Sequence, residues 1–144
     1  MTVKQLSVFV ENRPGRLCAV TEALANAGIN IRAVSIADTK DFGIMRIIVN
    51  DTDKAVATLK EKDFIASAAN VIAVSADDKP GSMAAIMKTL YNDNISVEYM
   101  YAAFLNPEKG TACLILRVDN NDKAVTALTE AGCKLLSEKD IAEI

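Results

Sequence analysis

The sequence predicts an α+β chain built as two tandem βαββαβ units, and three observations predict it. The chain repeats itself: residues 78–83 (DKPGSM) answer residues 12–17 (NRPGRL) at an offset of 66, from Pro14 to Pro80, and Asn94, Ile95, Ser96 and Val97 answer Gly28, Ile29, Asn30 and Ile31 at that offset. Further on, Asp53-Lys54-Ala55-Val56 returns unchanged as Asp122-Lys123-Ala124-Val125 at an offset of 69, from Asp53 to Asp122. Within each copy, runs of apolar residues at a period of two alternate with runs at helical spacing, in the order strand, helix, strand, strand, helix, strand. The offset grows between the two anchors, and the polar run 106–110 (NPEKG) is where a longer hairpin loop absorbs the extra residues.

In the first copy, Leu6, Val8 and Val10 alternate with Gln5, Ser7 and Phe9, as in a strand over 5–10 with one face on a core. Leu17, Val20, Leu24 and Ala27 then recur at helical spacing, so a helix is expected over about 14–27. Pro14 suits its first turn, where a missing N–H is no loss, and Gly28 is a natural stop. Residues 29–37 alternate as a second strand, with Ile29, Ile31 and Ala33 on one side and Asn30, Arg32 and Val34 on the other. The polar stretch 38–41 turns into a third strand over 42–49. Asn50, Asp51, Thr52 and Asp53 offer side-chain oxygens as caps to a helix over about 53–62, whose buried stripe is Ala55, Val56 and Leu59. The repeat asks for a fourth strand over 64–68. The second copy follows with strands over 71–76, 95–104, 111–118 and 134–137. Its helices are one carrying Met83, Ile86, Met87 and Leu90, and one over 122–131. Two split βαβ motifs per unit imply a ferredoxin-like sandwich, a four-stranded antiparallel sheet with both helices on one face and the second strand at an edge.

Length and composition bound the function. The 144 residues divide into a first domain over 1–69 and a second over 70–144, each small enough that further association is expected. A hydrophobic share of 51% against 24% charged residues is a globular balance. A net charge of −3 argues against a nucleic-acid partner, which normally needs a basic face. No apolar run reaches the roughly 18 residues of a membrane span, and the first residues have no secretion signal, so the cytoplasm is the expected location. Cys18, Cys113 and Cys133 have no metal-ligand spacing, and each lies in or beside an apolar pattern. They are expected as small core residues, with no metal or cofactor.

The stretch 11–17 (ENRPGRL) carries the candidate site. A strand ends there and a helix begins, so the free N–H groups of the first turn and the positive end of the helix dipole favour a carboxylate or phosphate. Gly15 lets backbone approach a ligand, and the Asn12 amide both donates and accepts, as an amino acid's paired charges require.

The βαββαβ order, the N-x-P-G-x-L turn and the Gly28-Ile29-Asn30-Ile31 segment together resemble the ACT domain, a small regulatory module that senses amino acids. The resemblance covers nearly the whole chain as two copies with no catalytic domain attached. The 11–17 stretch is especially similar to the serine-sensing domain of bacterial phosphoglycerate dehydrogenases. What the resemblance implies is ligand contact by Asn12 and Asn30, and by the turn residues Arg13, Gly15, Arg16 and Leu17. Where that family has a histidine two residues before the turn Asn, this chain has Val10, so serine itself does not carry over. In the second copy Asp78 stands at the Asn12 position and Ser96 at the Asn30 position, followed by Gly81, Ser82 and Met83 in the turn. An acid there repels a carboxylate and attracts an ammonium, so the first loop is the expected better site. Paired units of this family commonly join edge strands, which implies sheets side by side. Each loop then faces the partner unit's second strand, Ile29, Asn30 and Ile31 or Ile95, Ser96 and Val97.

Three rival readings are weaker. An enzyme needs a nucleophile with its base, paired carboxylates in a cleft or a metal cluster, and the chain has no histidine and only Asp77-Asp78 as adjacent carboxylates near a proposed site. An RNA-binding sheet needs aromatics on its central strands, whereas residues 71–76 and 111–118 have none; Tyr99 and Tyr101 alternate with Val97 on the expected core side. A protein-only adaptor or oligomerisation module fits the outer sheet faces. The alternate set Ile44, Arg46 and Ile48, with Cys113, Ile115 and Arg117, is too apolar for open solvent and is expected to be partly buried. The expected partners are an amino acid, a second copy of the chain and a regulated protein.

Overall fold

The computed structural model describes residues 1–38 and 40–144, and of Leu105 the backbone alone. The turn expected over 38–41 includes Thr39, which lies outside the described residues. The chain divides into two units, Lys4–Ala69 and Asn70–Ile144, the latter grouped with Met1–Val3.

The first unit contains β1 (Val3–Glu11), α1 (Arg16–Asn26), β2 (Ile31–Asp38), β3 (Phe42–Val49), α2 (Thr52–Glu61) and the opening residues of β4 (Ile65–Asp77). Its strand order is β2-β3-β1-β4. The second unit takes the rest of β4 and continues with α3 (Ser82–Asn92), β5 (Val97–Asn106), β6 (Thr111–Val118), α4 (Asn121–Glu130), β7 (Lys134–Leu136) and a short α5 (Glu138–Ala142). There β7 pairs with β4, β4 with β6 and β6 with β5, all antiparallel, which is the same order. The two strands expected over 64–68 and 71–76 are one continuous strand, because nothing between Ala66 and Ile72 breaks extended backbone.

The repeat holds at the level of register. Leu6 pairs with Ile47 and Val8 with Met45 in the first unit; Ile72 pairs with Leu116 and Val74 with Leu114 in the second. These are the same positions shifted by 66 on one strand and 69 on the other. Each set faces its own helices. Leu6, Val8, Val10, Met45, Ile47 and Val49 pack with Val20, Leu24, Ala55 and Leu59 in one core. Ile72, Val74, Leu114, Leu116 and Val118 pack with Ile86, Leu90, Ala124 and Leu128 in the other.

All four long helices end alike. Gly28 N–H donates to Ala25 O and Ile29 N–H to Leu24 O, closing α1 with paired reverse bonds around one left-handed residue. The same pair of bonds surrounds Asp63 after α2, Asn94 after α3 and Gly132 after α4. The apolar residue that follows, Ile29, Phe64 or Ile95, is buried, which fixes where the next strand starts.

Several expectations need correction. Pro14 is not in the first helical turn: Gly15, at φ 86, is the N-cap, and its left-handed backbone separates Pro14 from the helix. Leu17 remains 42% exposed in that open turn and Met83, its counterpart, 43%, so neither belongs to the buried stripes. A β-bulge between Ile31 and Ala33 adds a residue to β2, so Ala33 leaves the side shared by Ile29 and Ile31. The equivalent bulge between Val97 and Tyr99 has the larger effect. Tyr99 pairs with Arg117 and Tyr101 with Ile115, which puts both tyrosines on the face away from the helices and not on the core side. Cys18 is exposed on α1, whereas Cys113 is buried and Cys133 is half-buried against the second core. On the outer faces Ile48, Cys113 and Ile115 are buried, and Arg46 and Arg117 half-buried. Arg117 donates to Glu98 Oε2 at 3.2 Å and to the Asn70 carbonyl at 3.0 Å. Among the described residues no helix is long and apolar enough to cross a membrane.

Candidate functional site

The two strand-to-helix loops are built by the same bonds. Asn12 N–H donates to Asp41 O, Arg13 N–H to Glu11 O and Arg16 N–H to Arg13 O. In the second unit Asp78 N–H donates to Gly110 O, Lys79 N–H to Asp77 O and Ser82 N–H to Lys79 O. Each loop also carries one exposed ion pair across its base, Arg13 to Glu11 at 2.7 Å and Lys79 to Asp77 at 3.4 Å. Gly15 and Gly81 occupy the N-cap with φ of 86 and 93. Among the described residues nothing lies within 4 Å of the Cβ position of either, so the backbone conformation requires glycine there.

The helix starts fall into two kinds. Asp51 caps α2 by accepting from Lys54 N–H, Asn120 caps α4 by accepting from Lys123 N–H, and Ser137 caps α5 by accepting from Asp140 N–H. Neither α1 nor α3 has a side-chain cap, and neither has an acidic residue in its first turn. The first-turn N–H groups at Leu17 and Cys18, and at Met83 and Ala84, find no acceptor among the described residues. Such a group of donors at the positive end of a helix suits an anionic group.

The second of these loops opens into a cleft of about 710 Å³. Gly81 and Ser82 line it together with Lys79, Lys109, Lys134 and Cys133. Asp78 and Met83 do not line it. The cleft next to the first loop is smaller, about 320 Å³, and runs along the flank of α1. Of the first-loop candidates only Arg16 lines that cleft, with its guanidinium 4.7 Å above the Phe64 ring. Its Nε is buried with no hydrogen-bond partner among the described residues. Asn12, Arg13 and Leu17 are exposed outside both clefts.

The second-strand candidates are more tightly held. Ile29 and Ile95 are buried as part of the helix terminations, and Ile31 and Val97 pack against their cores. Asn30 N–H donates to Asn50 Oδ1 at 2.9 Å, and Ser96 N–H to Asp119 Oδ1 at 3.2 Å. The Asn30 and Ser96 side chains are exposed. Sequence reasoning missed Lys109 and Lys134, which reach the second loop from the β5–β6 hairpin and from β7. The repeat places those segments beside the loop, since Gly110 O is the acceptor for Asp78 N–H.

The thiols differ with their surroundings. Burial pushes Cys113 up to about 12 and also raises Cys133. At exposed Cys18 the hydrogen bond and negative charge of Glu22 raise the thiol.

The sequence matches the family described as "ACT domain pair" over residues 1–144. Among solved structures, a protein of Bacteroides thetaiotaomicron is 40% identical, with a TM-score of 0.93 over 100% of this chain and 98% of that one. The regulatory subunit of aspartate kinase from Thermus thermophilus is 16% identical, with a TM-score of 0.64 over 89% of this chain and 91% of that one. The corresponding subunit from Thermus flavus, also 16% identical, gives 0.63 over the same shares. At these lower identities the likeness is one of fold. No curated protein matches the chain.

Proposed function

Because the chain belongs to the ACT domain pair family, whose domains are regulatory modules, we propose that it senses a free amino acid at its strand-to-helix loops and passes the bound state to a partner protein, with no reaction of its own. The observation that carries this reading is the contrast in helix starts. The helices that follow the two loops lack side-chain caps, while α2, α4 and α5 are capped by Asp51, Asn120 and Ser137. The open N–H groups favour a ligand carboxylate, and Lys79, Lys109 and Lys134 around the second loop favour the same charge. Asn12 at the first loop is the group this reading assigns to the ligand's ammonium, while Asp78 at the equivalent position of the second loop opposes a ligand carboxylate. Val34 and Ile36 stand about half exposed on β2, at the end of the strand order, which supports self-association as one output of the sensor.

The test is a thermal-shift screen of the twenty standard amino acids with the full chain. A specific ligand at a hundred times its dissociation constant adds about 2.7 kcal/mol to the folded state. Light scattering with and without that ligand then reads the oligomeric state. If none of the twenty stabilises the protein, the sensor reading fails and a protein-only adaptor takes its place.

A further inference from the structure

The second unit departs from the first in two places, and both departures line the same cleft. Ala37 pairs with Ile44 in the first unit and Ala103 with Cys113 at the equivalent position of the second. Between those pairs lie residues 38–43 in one copy and 104–112 in the other, so the added residues of the repeat sit in this hairpin. The register shifts there, between Ala103 and Asn106, and Phe104 takes φ 51. A bulky side chain in left-handed backbone is costly and persists only where surrounding structure holds it. The other departure is α5. Where the first unit's final strand runs on into the second unit, β7 stops at Leu136 and Ser137 starts a helix. Phe104 and Asn106 from the hairpin, and Asp140, Glu143 and Ile144 from the C-terminal segment, line one cleft of about 260 Å³.

The charges of this cleft are of both signs and unequally committed. Lys109 and Lys134 make no ion pair among the described residues. The Asp140 carboxylate is taken by Ser137, accepting from its N–H and its hydroxyl at 2.8 Å each. Glu143 has no ion pair among the described residues. The floor is apolar, with Cys113 2% exposed and Leu136 8%. A cavity of about 150 Å³ suffices to hold benzene, so this one has room for a small amino acid.

We propose that the cleft beneath α5 is a separate amino-acid site, with the ligand's carboxylate at Lys109 and Lys134, its ammonium at Glu143 and its side chain over Cys113 and Leu136. A dianion would meet two carboxylates there, and a simple cation two ammonium groups. The site stands or falls independently of the loop site, although Lys109 and Lys134 line both clefts. Glu143 and Cys113 line only the cleft beneath α5, and Cys133 lines only the loop cleft.

Glu143 supplies the test, since it is exposed and lines only the cleft beneath α5. Each standard amino acid, and sodium acetate, is titrated calorimetrically into the full chain and into Glu143→Gln and Glu143→Asp, with the melting temperature of each variant confirming the fold. One amino acid is expected to bind the native chain, to lose about tenfold or more in affinity with Glu143→Gln and to regain part of that with Glu143→Asp. Binding of no amino acid overturns the proposal, as does binding that is matched by acetate. Binding that survives Glu143→Gln unchanged supports the loop reading and overturns this one.

Discussion

Asn50 holds Asn30 through both of its backbone groups: Oδ1 of Asn50 accepts from Asn30 N–H at 2.9 Å, and Asn50 N–H donates to Asn30 O at 3.2 Å. Asp119 and Ser96 repeat the arrangement at 3.2 and 3.1 Å. The clamp ties the start of the second strand to the end of the third just before the helix. It therefore fixes the residue that the sensor reading places opposite a ligand.

Asn50→Ala removes the acceptor and leaves the Asn30 N–H to water. A net loss of about 1 kcal/mol is expected, since the bond is exposed and solvent replaces part of it. Asp119→Ala should cost a similar amount in the second unit. Urea unfolding of the two variants measures this, and an unchanged midpoint in both would mean that the clamp contributes nothing to stability.

Asp78 and Asn12 occupy equivalent loop positions with opposite consequences for an anion. Asp78→Asn removes a negative charge beside the open N–H groups of α3, so amino-acid affinity at the second loop should rise. A gain of severalfold is expected at an exposed site, where water and salt weaken the charge. Asn12→Ala should weaken the first loop. Isothermal titration with the amino acid found by thermal shift reads both changes. Weaker binding in Asp78→Asn would instead assign the carboxylate to the ligand's ammonium.

Much of the architecture was legible because the sequence states it twice. The offsets of 66 and 69 alone give equivalent strand pairs such as Leu6 with Ile47 and Ile72 with Leu116. What periodicity hides is parity. A bulge costs one residue and leaves no composition signal, so Tyr99 and Tyr101 read as core residues and lie on the opposite face. The start of α1 differs from its sequence pattern for a related reason: Pro14 suits a first turn, but Gly15 in left-handed backbone is itself the cap.

The candidate site was legible in part. The turns at Gly15 and Gly81 are the uncapped helix starts that the repeat of N-x-P-G and D-x-P-G suggests. Lys109 and Lys134 were not, because they arrive from segments distant in sequence. The short α5 did carry a signal: Ser137 followed by Asp140 is the spacing of a capping box, and both bonds of that box form.

Asp63 and Asn94 adopt φ of 62 and 54, whereas their repeat counterparts, Gly132 and Gly28, have no Cβ to oppose the same conformation. Asp63→Gly and Asn94→Gly copy each unit's solution onto the other. The relief of left-handed strain slightly outweighs the added freedom of the unfolded chain, because Asp and Asn tolerate this region better than most residues. Each change is expected to be neutral or stabilising by up to about 1 kcal/mol. Gly28→Ala, at φ 71, should cost about 1–2 kcal/mol. Melting temperatures measure all three. Destabilisation by both glycine substitutions would show that the Asp63 and Asn94 side chains make the turn by contacts rather than merely tolerating it.

Acid should release α5 before it unfolds either core. The Ser137 N–H and hydroxyl hold the Asp140 carboxyl below its ordinary value of 3.8, with Lys134 and Lys139 adding to the effect. A carboxylate whose pKa is lower in the folded state stabilises that state above its ordinary value. The contribution fades as pH falls through the lowered value, where the folded form too takes up the proton. Protonated Asp140 no longer accepts at full strength from Ser137, so the helix start loosens on the acid side of about pH 4. Hydrogen exchange over 137–144 at a series of pH values, corrected for intrinsic rates, should show protection lost there while segments of β4 and β6 keep theirs. Asp140→Asn should already lack that protection at neutral pH and show little further change on acidification. A wild-type C-terminal segment whose corrected protection stays flat down to the point of global unfolding would remove Asp140 as the group that closes this end of the chain over Cys113.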